Sequence, residues 1–183
     1  WRPTGLQLGL NPGPTVNGNN PGTGQFFDVV GPSDAAIRGF RVASSAAANA
    51  NFQVQVYTRN GTALGGSSSS GPGSSSAGWT LHSTSTVTQG ATGNLSQPFI
   101  IPEIPLVAGQ IRGIGLVING VEPDYRGVGA GSIATYSASG VEVTTGEART
   151  LPFTTTGALF PGRQFVGTVY FRRNELVFRN GFE

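Results

Sequence analysis

The stretch Asn51 to Thr62, NFQVQVYTRNGT, decides the fold class. Phe52, Val54 and Val56 alternate with Gln53, Gln55 and Tyr57, and a period of two places the two sets on opposite faces of a strand. The segment is predicted to be a half-buried β-strand. Asn60-Gly61 follows at once and accepts positive φ, so the chain turns there at little steric cost. Beyond a Gly/Ser-rich loop, Gly78 to Val87 (GWTLHSTSTV) sets Trp79 and Leu81 on one face against Thr and Ser on the other. The two segments read as facing strands of one β core, with Trp79 inside it.

Working outward, the sequence divides at 1–24, 25–173 and 174–183. The central part carries strand patterns at Gln25 to Val30, Ile37 to Val42, Pro98 to Pro102, Gln110 to Asn119, Ser132 to Ser137, Val141 to Thr145 and Gln164 to Arg172. These short strands, spaced by Gly, Pro and Asn turns and with no amphipathic helix among them, predict an all-β, two-sheet sandwich of jelly-roll-like form. Phe153 and Phe160 are expected to anchor a long crossing loop. At 183 residues one such domain can bury roughly 70% of its unfolded surface.

The flanks are extended. In the N-terminal arm Leu6, Leu8 and Leu10 alternate with Gln7 and Gly9, a pattern that suits a short strand. That strand either covers the edge of its own sheet or pairs with a neighbouring subunit. The tail Glu175 to Phe182 (ELVFRNGF) is also strand-competent, and Leu176 and Phe178 join the three leucines as expected subunit contacts. Leu64 to Gly78 contains GGSSSSGPGSSSAG, a flexible composition that something else must order. Neighbouring subunits are the expected source of that order.

Charge excludes several functions. Eleven basic residues, all Arg, stand against nine acidic ones for a net +2, too weak and scattered a footprint for nucleic acid. No apolar run approaches the roughly 20 residues of a membrane span. With no Cys and one His the usual zinc ligand sets cannot form, and no D-x-D-x-D-G run supports calcium, so neither metal nor cofactor is expected. Glu122, Asp124, Glu142 and Glu147 read as solvated surface acids. His82, out of phase with Trp79 and Leu81, is expected to face solvent, and no nucleophile-elbow sequence accompanies it. The chain is therefore read as non-enzymatic.

The order of VYTRNGTALGG, GWTLHSTSTVT, LVAGQIRGIGLVI, SIATYSASGVEVTTGEA and FPGRQFVGTVYF resembles a β-sandwich domain that recurs in exported bacterial surface and matrix-type proteins. The ending FRNGFE is similar to endings of exported proteins of some Gram-negative bacteria. The resemblance implies an extracellular or cell-surface place and no catalytic residues. A first residue of Trp without a leader fits a mature exported chain.

Two functions follow as expectations. One is a secreted structural protein that assembles with copies of itself into a filament, sheet or surface layer, its terminal strands acting as donor strands. Low charge opposes such packing little. The alternative is a carbohydrate-binding module of an adhesin or matrix protein, with Tyr57, Tyr125 and Tyr136 as glycan contacts, since a ring face stacks on a sugar while polar neighbours bond its hydroxyls.

Overall fold

The computed structural model describes residues 7–10, 16–17, 22–91, 95–127 and 133–173. Its strands are β1 (Gln7–Leu10), β2 (Val16–Asn17), β3 (Gly24–Val30), β4 (Ala35–Val42), β5 (Asn51–Asn60), β6 (Thr80–Thr88), β7 (Phe99–Pro105), β8 (Arg112–Asn119), β9 (Asp124–Gly127), β10 (Ala134–Ala138), β11 (Val141–Arg149), β12 (Leu159–Pro161), β13 (Arg163–Phe165) and β14 (Gly167–Arg173). Among the described residues no helix is long and apolar enough to cross a membrane.

The fold is an all-β sandwich. A small sheet runs β1-β14-β4-β7 and a large one β10-β11-β3-β8-β5-β6, with β12 added to β11. Neighbouring strands pair antiparallel throughout. A third sheet, β13-β9-β2, closes one end. The chain passes from it into the small sheet at Val166, which splits the single strand expected over Gln164 to Arg172 into β13 and β14.

Alternation decides what fills the space between the sheets. Phe52, Val54 and Val56 of β5 are buried there, while Gln53, Gln55 and Tyr57 point away, as their sequence period requires. Phe27 and Val29 of β3, Ile114, Leu116 and Ile118 of β8, and Val141 and Val143 of β11 supply the rest of that layer. The small sheet answers with Ile37, Phe40, Phe99, Ile104, Val169 and Phe171. Phe27 stacks on Phe165 with ring centroids 4.9 Å apart and meets Phe40 edge-on at 6.3 Å, contacts that add about 0.5–1.5 kcal/mol each to simple burial.

The arm joins its own sheet. Gln7, Leu8, Gly9 and Leu10 pair with Tyr170, Val169, Thr168 and Gly167 of β14, the alternative in which the arm covers the edge of its own sheet. Leu6, Leu176 and Phe178 lie outside the described residues.

Four expectations are corrected. β5 and β6 do not face each other across a core but lie side by side in one sheet. The register shifts by one residue between Val56–Ser83 and Tyr57–Leu81, and this bulge at His82 turns Leu81 outward, where it is 49% exposed. Trp79 accompanies it outside the inter-sheet core. His82 does not point freely into solvent: it is half-buried at the seam of the two sheets, where its Nε2 donates to the Pro102 carbonyl of β7 at 2.8 Å.

Candidate functional site

The outer face of the large sheet is laid out by register. One row across it runs Pro161, Glu147, Phe26, Gly115, Tyr57, Leu81. The next runs Leu159, Arg149, Gly24, Val117, Gln55, Thr84. A third holds Asn119, Gln53 and Thr86. The β11-β3 half of this face is roofed and the β8-β5-β6 half is open.

The roof is the Gly/Ser-rich loop after β5, and the chain holds it from within. Arg149, 1% exposed, donates from Nε to Glu147 Oε1 at 2.8 Å, from Nη1 to the Ser68 carbonyl at 3.2 Å and from Nη2 to the Ser67 carbonyl at 3.0 Å. Glu147 Oε2 in turn accepts from Gly65 N–H at 2.8 Å. Asp28 accepts from the Thr62 hydroxyl at 2.5 Å and from Ala63 N–H at 2.6 Å. Glycine is required where the loop crosses the guanidinium, because a Cβ at Gly71 would collide with Arg149 Nη2 and the Gly65 carbonyl. Within the chain this stretch is anchored by Arg149, Glu147 and Asp28. Glu147 and Asp124 are 5% and 3% exposed, so neither is the solvated surface acid expected.

At the border between roof and open face stands an aromatic wall. Trp79 meets Phe26 at 5.6 Å and Phe153 at 5.3 Å, and Phe153 meets Tyr57 at 4.6 Å. Gly115 makes room for it, since a Cβ there would lie 3.0 Å from Phe26 and 3.4 Å from Trp79. The Arg59 guanidinium covers the Trp79 ring at 5.4 Å, and Trp79 Nε1 donates to the Pro72 carbonyl at 2.8 Å. Phe153 is set by its own loop, where it and Leu151 adopt φ of 66° and 45°. Such values are strained for bulky side chains, and the Phe153 N–H to Gly73 carbonyl bond at 2.7 Å fixes them.

The open half carries no charge between this wall and the β6 margin. Gln53, Gln55, Thr84 and Thr86 project there with Asn119 and Tyr57, the outer rows of β8, β5 and β6. Gln53, Thr84 and Thr86 are exposed. Asn119 Nδ2 donates to Gln55 Oε1 at 3.4 Å, and Thr88 Oγ1 to Asn51 Oδ1 at 2.8 Å. Neighbouring strands stand roughly 4.8 Å apart and same-face residues about 6.8 Å along each strand, so these groups form a flat grid of amides and hydroxyls ending at an aromatic edge. Amides and hydroxyls both donate and accept, which matches the hydroxyls of a neutral sugar.

The three tyrosines expected to act together do not meet. Tyr57 belongs to the wall. Tyr125 lies in the third sheet, 7% exposed, with the Arg163 guanidinium over its ring at 5.6 Å. Tyr136 packs against the inter-sheet core and donates its hydroxyl to Gln164 Oε1 at 3.3 Å. The sequence reading missed the Gln/Thr grid, although the alternation that buried Phe52, Val54 and Val56 also dictated it. A separate cleft of about 100 Å³, lined by Leu64, Ile133, Leu159 and Pro161 above Glu147, is below the roughly 300 Å³ at which small-molecule pockets begin.

Asp28 lies on this face beneath the start of the loop. Burial pushes its carboxyl up from the ordinary value, against the opposing pull of the Ala63 and Thr62 hydrogen bonds and the Arg59 charge. Among the described residues no three His, Cys, Asp or Glu side chains converge to hold a metal. No protein-family model matches the chain, and no curated protein is similar to it in sequence.

Proposed function

We propose that the chain is a carbohydrate-binding module of an exported surface or matrix protein, non-enzymatic in itself, and that the open half of the large sheet is its binding face. The observation that supports this most is the row Gly115–Tyr57–Leu81 beside Gln55–Thr84 and Gln53–Thr86. It sets an aromatic and aliphatic rim against uncharged groups that both donate and accept. A polysaccharide lying across the strands would rest apolar ring faces on the rim and bond its hydroxyls to the grid. The absence of charge on the grid fits a neutral glycan and gives an anionic one no partner beyond Arg59. The exported setting rests on the resemblance of the sequence motifs. Binding to a panel of neutral polysaccharides, lost on Tyr57→Ala and Gln55→Ala, is the test.

A second reading keeps the chain as a structural subunit that assembles with its own copies into a filament, sheet or surface layer through its terminal strands. It is favoured by the attachment of β1, a terminal strand at the sheet edge held over four residue pairs, which is a form that can be exchanged between copies. Deleting residues 1–12 would leave a folded monomer if the arm links subunits, and would leave assembly unchanged if it does not.

A further inference from the structure

The loop between β11 and β12 holds two bulky residues in left-handed backbone. Leu151 and Phe153 adopt φ of 45° and 66°, a region that glycine and asparagine enter at little cost and larger side chains do not. Leu151 also precedes Pro152, whose ring confines the residue before it to extended backbone of negative φ. The loop itself imposes the conformation. The Thr154 hydroxyl donates to the Leu151 carbonyl at 2.7 Å, Thr150 N–H donates to the Ala158 carbonyl at 3.1 Å, and a Cβ at Gly157 would collide with the Thr150 and Leu151 carbonyls.

Strain of this kind persists where another interaction offsets it. For Phe153 the offset lies inside the chain, in its ring contacts with Phe26, Tyr57 and Trp79. Leu151 has no such offset. Its side chain is 61% exposed, and it belongs neither to the inter-sheet core nor to the residues packed against that core. An aliphatic side chain held in water on a strained backbone favours folding in neither respect, and asparagine would suit the loop better. Leu151 stands at the border of the binding face. Its neighbour Pro152 lies over Gly24, where an added Cβ would come within 3.1 Å of the proline Cβ. From Gly24 the second row runs through Val117 to Gln55 and Thr84.

We propose that Leu151 is a contact residue of the binding face, a fixed apolar prop on which a ring face of the bound glycan rests at the roofed end of that row. The hydrogen bonds of the loop hold it in place beforehand, so no ordering of the loop opposes binding. The proposal rests on the glycan reading of this face.

Leu151→Asn and Leu151→Gly remove the prop and relieve the backbone, which separates a binding role from a folding one. Both are compared with wild type by urea denaturation and by isothermal titration with a panel of neutral polysaccharides. Leu151→Asn is expected to unfold at a urea midpoint equal to or above that of wild type, while both variants bind about fivefold more weakly or worse. Leu151→Met keeps an apolar side chain and is expected to bind as wild type does. A lowered midpoint in Leu151→Asn would place the contribution of Leu151 inside the chain and overturn the proposal. Tyr57→Ala, titrated in parallel, tells two failures apart. If it weakens binding while the Leu151 variants bind normally, the face stands and the role of Leu151 in it falls. If wild type binds no neutral polysaccharide, or neither Tyr57→Ala nor the Leu151 variants weaken binding, the face itself falls and the proposal with it.

Discussion

Arg149 and Glu147 form an ion pair of 2.8 Å whose side chains are 1% and 6% exposed, on the outer face of a sheet where solvent would otherwise stand. The pair is sealed by the loop it holds. Each remaining guanidinium nitrogen bonds a loop carbonyl and the second carboxylate oxygen takes a loop N–H, so the charges are satisfied on all sides. Ion pairs buried this completely contribute little over an apolar substitute, but breaking one from a single side is costly.

Replacing Arg149 by Met should therefore destabilise the chain by about 3–5 kcal/mol, because it leaves the Glu147 carboxylate buried without its partner. The double variant with Glu147→Leu should recover part of that loss. Urea denaturation measures both. Limited proteolysis should in addition find the Ser67–Ser70 segment cut early in Arg149→Met, since its carbonyl anchors are gone.

Gly115→Val should cost about 1–3 kcal/mol as an overpacked site, since the added atoms would occupy the hollow in which the Phe26 and Trp79 rings lie. Displacing Trp79 from Phe26 and Phe153 should shift its fluorescence to longer wavelength. Glycan binding should fall with it if the wall is part of the binding face.

Asp28 and Glu103 should move stability in opposite directions with pH. Burial raises the Asp28 carboxyl, so the folded state holds its proton more tightly than the unfolded chain does. Its contribution is fully present below the ordinary carboxyl value and is lost as pH rises through its raised folded value. Glu103 is lowered, chiefly by its hydrogen bonds with Arg172. Its contribution is present above the ordinary value and is lost as pH falls through the lowered one. Stability curves of wild type and Asp28→Asn should therefore differ by an amount that shifts in favour of the variant as pH rises from 4 toward neutrality. Parallel curves would contradict the assigned cause.

The sandwich was legible because strand period leaves little freedom. Phe52, Val54 and Val56 had to share a face, and several strands each with one buried face dictate layered sheets. β9 was not legible, since Glu122-Pro123-Asp124 has the composition of a loop and its pairing with β13 and β2 is set by distant residues. The outward turn of Leu81 and Trp79 escaped for a related reason: one bulged residue reverses the facing of the side chains before it relative to those after it, and nothing in TLHSTSTVT marks His82 as that residue. The anchor of the Gly/Ser loop within the chain was not legible because Arg149 lies about eighty positions away. A local composition carries no sign of a distant guanidinium.

The binding face is tested most directly by isothermal titration of the full chain with soluble neutral polysaccharides. Wild type and the exposed control Thr135→Ala on β10 are expected to bind at least one of them equally, while Tyr57→Ala and Gln55→Ala weaken that binding by tenfold or more, about 1.4 kcal/mol each. Binding that survives both substitutions, or a wild type that binds no neutral glycan, would contradict the assignment of this face.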